Sequence, residues 1–134
     1  MKLSGMAFFQ IASQRMQWLG ERQVVISENI ANADTPDYKA KDISPFDQML
    51  EEGGQRTRGL RTTHASHIQG APSPAGGVSV QGDSAAWEGS IDGNTVSLEQ
   101  QTIKAAEISE NYRLAAQLYR KGHDLLTLAV TGVR

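Results

Sequence analysis

The chain has 134 residues, a formal net charge of −2 and no cysteine. That length suits one domain of ordinary size, the near-neutral charge argues against a sequence-independent grip on nucleic acid or anionic lipid, and the missing cysteine excludes disulfide scaffolds, thiolate zinc sites and cysteine nucleophiles. No run approaches the roughly 20 apolar residues that span a bilayer. Ser4, Gly5 and Gln10 interrupt the apolar N-terminus with no cleavage site after it, so no cleaved secretory signal is expected.

From Phe9 to Ile30, the positions Phe9, Ala12, Met16, Leu19, Gln23, Ile26 and Ile30 recur at steps of three and four, the seam of a helix made to pack on another helix. Trp18 and Val25 widen the stripe. Gln14, Arg15, Gln17, Glu21, Arg22 and Glu28 form a polar remainder. Gly20 costs roughly 1 kcal/mol of helix propensity against alanine, so contacts outside the helix must offset it.

The helix runs into a junction, Ser27 to Asp42, around which the chain is organised. Pro36 lacks an N–H and biases Thr35 away from the helical basin. Thr35-Pro36-Asp37-Tyr38 reads as a β-turn with proline second, and Asn29 and Asn32 can bond nearby backbone. After it, Ser44-Pro45 can start a brief helix carrying Phe46 and Met49-Leu50 on one side. Nine of the thirteen glycines then fall between Gly53 and Gly93, with Pro72 and Pro74, a composition that buries little apolar surface. Only Gly77 to Gln81 alternates as a strand does.

Asp92-Gly93-Asn94 marks a turn, and Ser97-Leu98-Glu99-Gln100 a capping box in which Ser97 bonds the N–H three residues on while Gln100 reaches back. The helix that follows keeps a heptad-like row through Leu98, Ala105, Ile108, Tyr112, Ala115, Tyr119, Leu126 and Ala129, with Gln101 and Gly122 at intervening seam positions. Leu114, Leu118, Leu125 and Leu128 form a second row. Two rows on one helix imply two neighbours, so a hairpin of the two long helices leaves one row facing water and predicts association. Lys104/Glu107 and Glu110/Arg113 have the spacing of surface ion pairs. The fold class expected is mainly α: long N- and C-terminal helices packing as a coiled-coil-like pair or bundle, around a glycine-rich loop or small irregular β-containing insertion. The boundaries expected are 1–50 for the first helix, junction and short segment, 51–94 for the insertion and 95–134 for the second helix.

No active site is legible. His64 and His67 are three apart without a third ligand in reach, and His123 reads as a group complementing a helix C-terminus. Glu51 and Glu52 are adjacent and cannot face each other across a substrate. The glycines do not form a phosphate-cradling loop, and Tyr112 and Tyr119 lie at seam spacing and read as packing residues. No enzyme, cofactor or metal is expected.

Asn29, Ile30, Ala31, Asn32, Thr35, Pro36 and Tyr38 resemble the shared N-terminal signature of the flagellar rod and hook proteins, an Asn-x-x-Asn helix end followed by a Thr-Pro-Gly-Tyr turn. The G-N-T-V-S-L-E-Q stretch and the A-E-I-S-E-N-Y-R-L-A-A-Q-L-Y-R-K-G-H-D-L-L helix resemble the C-terminal helix of a short proximal rod member. The window 51–94 is too short for the large β-rich domain of distal rod and hook proteins. The sequence departs at Asp37, where the family turn has glycine; type I geometry is therefore expected.

The resemblance implies a structural subunit of the proximal rod, the hollow shaft that transmits torque, packed against other rod subunits and the membrane-ring and export-gate base. It implies periplasmic placement after type III export without a cleaved signal, for which Met6, Phe8, Phe9 and Ile11 are candidate signal residues. The assembly interface expected comprises Phe9, Ala12, Met16, Leu19, Ile26 and Ile30 on the first helix. On the second it comprises Leu98, Ile108, Tyr112, Leu114, Leu118, Tyr119, Leu125 and Leu128. Asn29, Asn32, Thr35, Pro36, Asp37 and Tyr38 form the junction. The competing readings are a soluble helical adaptor or export chaperone, and the other short proximal rod protein.

Overall fold

The computed structural model describes residues 2–56, 78–87 and 89–132. Its elements are α1 (Lys2–Ala31), β1 (Lys41–Ile43), α2 (Phe46–Arg56), β2 (Val80–Gly82) and α3 (Leu98–Thr131). His64 and His67 lie outside the described residues, as does Gly77 at the start of the expected strand. The architecture is mainly α, with long terminal helices packed on each other and a small sheet between them.

The two long helices run antiparallel. Asn29 of α1 meets Gln101 near the start of α3, with Nδ2 donating to Oε1 over 3.0 Å. At the other end Phe9 packs edge-on against Tyr119, ring centroids 5.0 Å apart. These contacts are about 30 Å apart along α1. Close approach at the far end depends on Gly122, where a Cβ would come within 2.9 Å of the Phe8 ring and 3.4 Å of Phe9. A Cβ at Gly20 meets nothing within 4 Å, so no contact among the described residues calls for glycine there.

The core sits at the junction end of this pair: Trp18, Leu19, Val25 and Ile26 from α1, Ile43, Phe46 and Met49 from the following segment, and Ile108 from α3. Burying each Ile, Leu, Phe or Met side chain contributes about 1.5–3 kcal/mol. The seam expected on α1 holds through Leu19 and Ile26 but not at its end, since Ile30 is 40 % exposed and the fully buried residue is Asn29. An ideal helix turns 3.6 residues per turn, so a heptad row drifts, and the inward position falls three rather than four residues after Ile26.

Trp18 packs edge-on against Phe46 and donates its Nε1–H to the Ser44 carbonyl over 2.9 Å, tying α1 to the start of α2. The short helix expected after Ser44-Pro45 is α2. β1 and β2 pair antiparallel, Lys41 with Gly82, Asp42 with Gln81 and Ile43 with Val80.

The expected capping box is half made. Ser97 Oγ accepts from the Gln100 N–H, but the Gln100 side chain does not reach back; its Nε2 donates to the Ala85 carbonyl over 2.6 Å, and the Ser97 hydroxyl donates instead to Glu99. The amide thus ties the first turn of α3 to the preceding loop instead of closing the cap on itself. α3 ends on Gly132 in the left-handed region, its N–H bonded to the Leu128 carbonyl. His123 therefore lies two turns before the end of α3, outside the last turn where a charge complements the helix dipole, and the role expected for it is dropped.

Candidate functional site

The C-terminus of α1 is capped from across the chain. Asn94, 2 % exposed, points its Nδ2 at the carbonyls of Asn32, Ala33 and Thr35 at 2.9, 2.8 and 2.8 Å, and its Oδ1 accepts from the Val96 N–H at 2.7 Å. Helix ends leave carbonyls without intrahelical partners. Here a single side chain satisfies the end of α1 and joins it to the loop that launches α3. The same loop runs beside the turn: Asp37 N–H donates to the Asp92 carbonyl, Thr95 N–H to the Tyr38 carbonyl, and Ala40 N–H to Thr95 Oγ1.

Asn29 does comparable work one turn earlier. Its Nδ2 donates to the Lys41 carbonyl (2.7 Å) as well as to Gln101, and its Oδ1 accepts from the Lys41 N–H (3.0 Å). It thereby pairs with β1 as a neighbouring strand would. Tyr38 Oη donates to Asn29 Oδ1 over a long 3.5 Å. Asn32 bonds the Glu28 carbonyl and accepts from the Thr35 hydroxyl. Pro36 and Asp37 are exposed.

The turn corrects one expectation. Asp37 has φ +59°, and the Tyr38 N–H donates to the Thr35 carbonyl at 3.3 Å. With proline second and positive φ third, this is type II geometry rather than type I. The backbone that glycine adopts freely is kept here by aspartate, one of the few residues that tolerates the left-handed region. The facing Gly93 (φ +83°) leaves room for the Asp37 side chain; a Cβ at position 93 would collide with it.

A four-charge network fixes the sheet to both helices. Arg22 grips Asp42 with two bonds of 2.9 Å, and Lys104 bonds Asp42 (3.0 Å) and Asp83 (2.6 Å). The surface pair expected between Lys104 and Glu107 gives way to this network, because Lys104 faces β1 and β2. Burial alone would raise the Asp42 pKa, but hydrogen bonds from Arg22 and Lys104 outweigh it and hold the carboxyl at about 2, against 3.8 ordinarily. Asp42 also raises the pKa of Arg22 through their hydrogen bond. A carboxylate depressed on folding stabilises the fold above its unfolded pKa, and that contribution is lost as pH falls from 3.8 toward 2. Allowing for solvent screening, about 1–2 kcal/mol is at stake. Asp42→Asn is expected to flatten that part of the stability curve between pH 5 and 2 in denaturant titrations; an unchanged acid limb contradicts it.

Along α3 the buried residues are Gln100, Gln101 and Ile108, all in its first third. Beyond Ile108 the helix is exposed or half-buried. Leu114, Leu118, Leu125 and Leu128 are 38–54 % exposed, Tyr112 47 %, Tyr119 37 % and Leu98 50 %. On α1, Phe9, Ala12 and Met16 are half-buried, and Leu19 and Ile26 are used up inside the chain. Phe8 and Ile11 stand 42 % and 48 % exposed, while the Met6 side chain lies outside the described residues. Trp87 and Ile91, on the loop before α3, are 61 % and fully exposed. Sequence reading does not single out either of these, places Asn94 in a turn without its bonds to the end of α1, and misses the Asn29–Gln101 pair, of which only Gln101 falls at an expected seam position.

Among the described residues no group of three or more His, Cys, Asp or Glu is placed to hold a metal, and no helix is long and apolar enough to cross a membrane. What the fold presents is a latched pair of long helices with apolar rows left uncovered, the form of an assembly subunit. The sequence pattern of the family described as "Flagella basal body rod protein" matches residues 9–39, most of α1 and of its junction. The chain is 33 % identical to the flagellar basal body rod protein FlgB of Agrobacterium fabrum, over 91 % of both chains. It is 31 % identical to FlgB of Salmonella typhimurium over 81 % of both, and 28 % identical to FlgB of Bacillus subtilis over 83 % of both. The chain belongs to the flagellar basal body rod protein family, on its FlgB branch, and is a structural component of the basal body rod. These likenesses favour FlgB over the other short proximal rod protein, FlgC, and over a soluble adaptor.

Proposed function

We propose that the chain builds the proximal rod by docking its uncovered apolar rows against neighbouring subunits, so that interlocked helices carry torque along the shaft. The observation that carries this reading is the second row of α3, four leucines 38–54 % exposed on a helix whose buried residues all lie near its start. A row of that kind facing water is unfavourable in a free protein and marks a contact surface. The latch of Asn94 and Asn29 sets the angle at which α1 leaves the junction, and Phe9, Ala12, Met16, Leu98, Tyr112 and Tyr119 extend the contact.

In this reading the subunit works in the periplasm, where it meets other rod subunits and the base formed by the membrane ring and export gate. It reaches that place by uncleaved export, for which Phe8 and Ile11 offer exposed apolar side chains at the start of α1. Its work is mechanical, not catalytic. The chain is expected in purified basal bodies at near-constant stoichiometry to the other rod proteins, read by quantitative mass spectrometry. Its retention in the cytoplasm, bound to a single client, contradicts the proposal.

A further inference from the structure

Charge is divided along the antiparallel helix pair. Cut at the midpoints of α1 and α3, the half that holds the Phe9–Tyr119 contact carries Lys2, Arg15, Arg120 and Lys121 against one acid, Asp124, a net +3 over residues 2–16 and 115–131. The described residues of the other half, which holds the Asn29–Gln101 pair, carry thirteen acids against six bases, a net −7. Residues 57–77 and 88 add a net +1 by sequence, too little to change its sign. Lys121 also stands inside the uncovered leucine row: it follows Leu118 by three residues, precedes Leu125 by four, and is exposed. Whatever covers those leucines takes the Lys121 ammonium out of water, and a desolvated cation needs a carboxylate. Asp124 lies beside both Arg120 and Lys121, which leaves this stretch of the row with a cation in excess.

The junction half presents apolar side chains ringed by acids. Trp87 and Ile91 form an exposed tip on the loop before α3. Asp92 follows Ile91 directly, and its carbonyl accepts the Asp37 N–H, so the exposed Asp37 and Asp92 flank that tip. With Asp34 they outnumber the neighbouring cations, of which Lys39 bonds the Gly93 carbonyl and Lys41 lies over the Tyr38 ring.

From this polarity we infer that the leucine row of α3, with Lys121 at its centre, receives the Trp87–Ile91 tip of a second copy of this chain. Asp37 and Asp92 of that copy then supply the carboxylates that Lys121 needs. The inference rests on the rod reading above and deepens it by naming what covers the row. A second copy carries both surfaces, and because unlike ends attract while like ends repel, the contact joins the junction end of one molecule to the far end of the other. The Trp87 ring is the apolar anchor of the contact.

Two full-length variants, each lacking one surface, test the contact. Lys121→Glu in one chain, and Trp87→Ala with Ile91→Ala in another, are each expected to weaken self-association in sedimentation by about tenfold or more. Circular dichroism stays unchanged, because all three side chains are exposed. Mixed in equal amounts, the two variants form a one-to-one complex at close to the parental affinity, since the first keeps its tip and the second keeps its row. Lys121→Arg retains the charge and associates like the parent, and association of the parent weakens as salt rises. A parent that stays monomeric at the highest concentration reached, variants that associate like the parent, a mixture no better than its parts, or a loss in Lys121→Arg equal to that in Lys121→Glu each overturn the contact. If the parent is nonetheless recovered from basal bodies, the rod role stands and only this contact is wrong.

Discussion

Asn94→Ala is expected to lower the melting temperature of the purified chain by roughly 10 °C, the largest effect of any single polar substitution in it. The side chain is almost fully buried, its two N–H groups are shared among three carbonyls just past the end of α1, and its Oδ1 accepts one N–H at the approach to α3. Removing it takes a partner from the Ala33 carbonyl and the Val96 N–H, while the Asn32 and Thr35 carbonyls keep the N–H groups of Thr35 and Tyr38, at a cost of about 2–3 kcal/mol for a bond network centred on a buried amide. Asn94→Asp should cost more, since the new carboxylate offers no N–H and faces three carbonyl oxygens. Hydrogen exchange should localise the loss to the amides of the junction turn and the loop from 92 to 96. A melting temperature within a degree or two of the parent would show that the latch is ornamental.

That latch marks the boundary of what could be read from sequence. Both long helices and the stop before Pro36 follow from local rules: the three-four spacing of Leu19 and Ile26, the Ser97 cap, and the proline that cannot continue a helix. The brief helix after Ser44-Pro45 was legible for the same reason. The network that joins them was not, because Asn29 meets Gln101 across 72 residues and Asn94 meets Asn32 across 62. Local pattern reads a buried polar residue on an apolar face as an interruption, when it is a partner for something distant. Lys104 shows the same limit from the other side: its spacing to Glu107 suggested a surface pair, but the strands bring two aspartates closer. At Asp37 propensity disfavours positive φ, whereas the Gly93 opposite it and the bond to Asp92 hold the turn in that form. Of the exposed surface, the leucine row was legible from periodicity, and Trp87 and Ile91 were not, since loop residues have no period to break.

The second large effect concerns assembly rather than folding. Ile26 is fully buried within the chain, so a charge there destroys the monomer and says nothing about contacts between subunits. Leu118 is 51 % exposed, and Leu118→Asp should change monomer stability by no more than about 0.5 kcal/mol. At a subunit contact the same aspartate must be buried without a partner, a cost of several kcal/mol, or well over a hundredfold in affinity. Leu125→Asp should behave alike, because it lies on the same row two turns along.

The measurement that bears most directly on the central claim is therefore the fate of Leu118→Asp in cells lacking the parental protein. The account predicts a folded, exported subunit that is missing from purified basal bodies, with rods that do not form and cells that do not swim. Normal rods containing Leu118→Asp, in swimming cells, would contradict it, because the leucine row would then be shown to face water in the finished shaft.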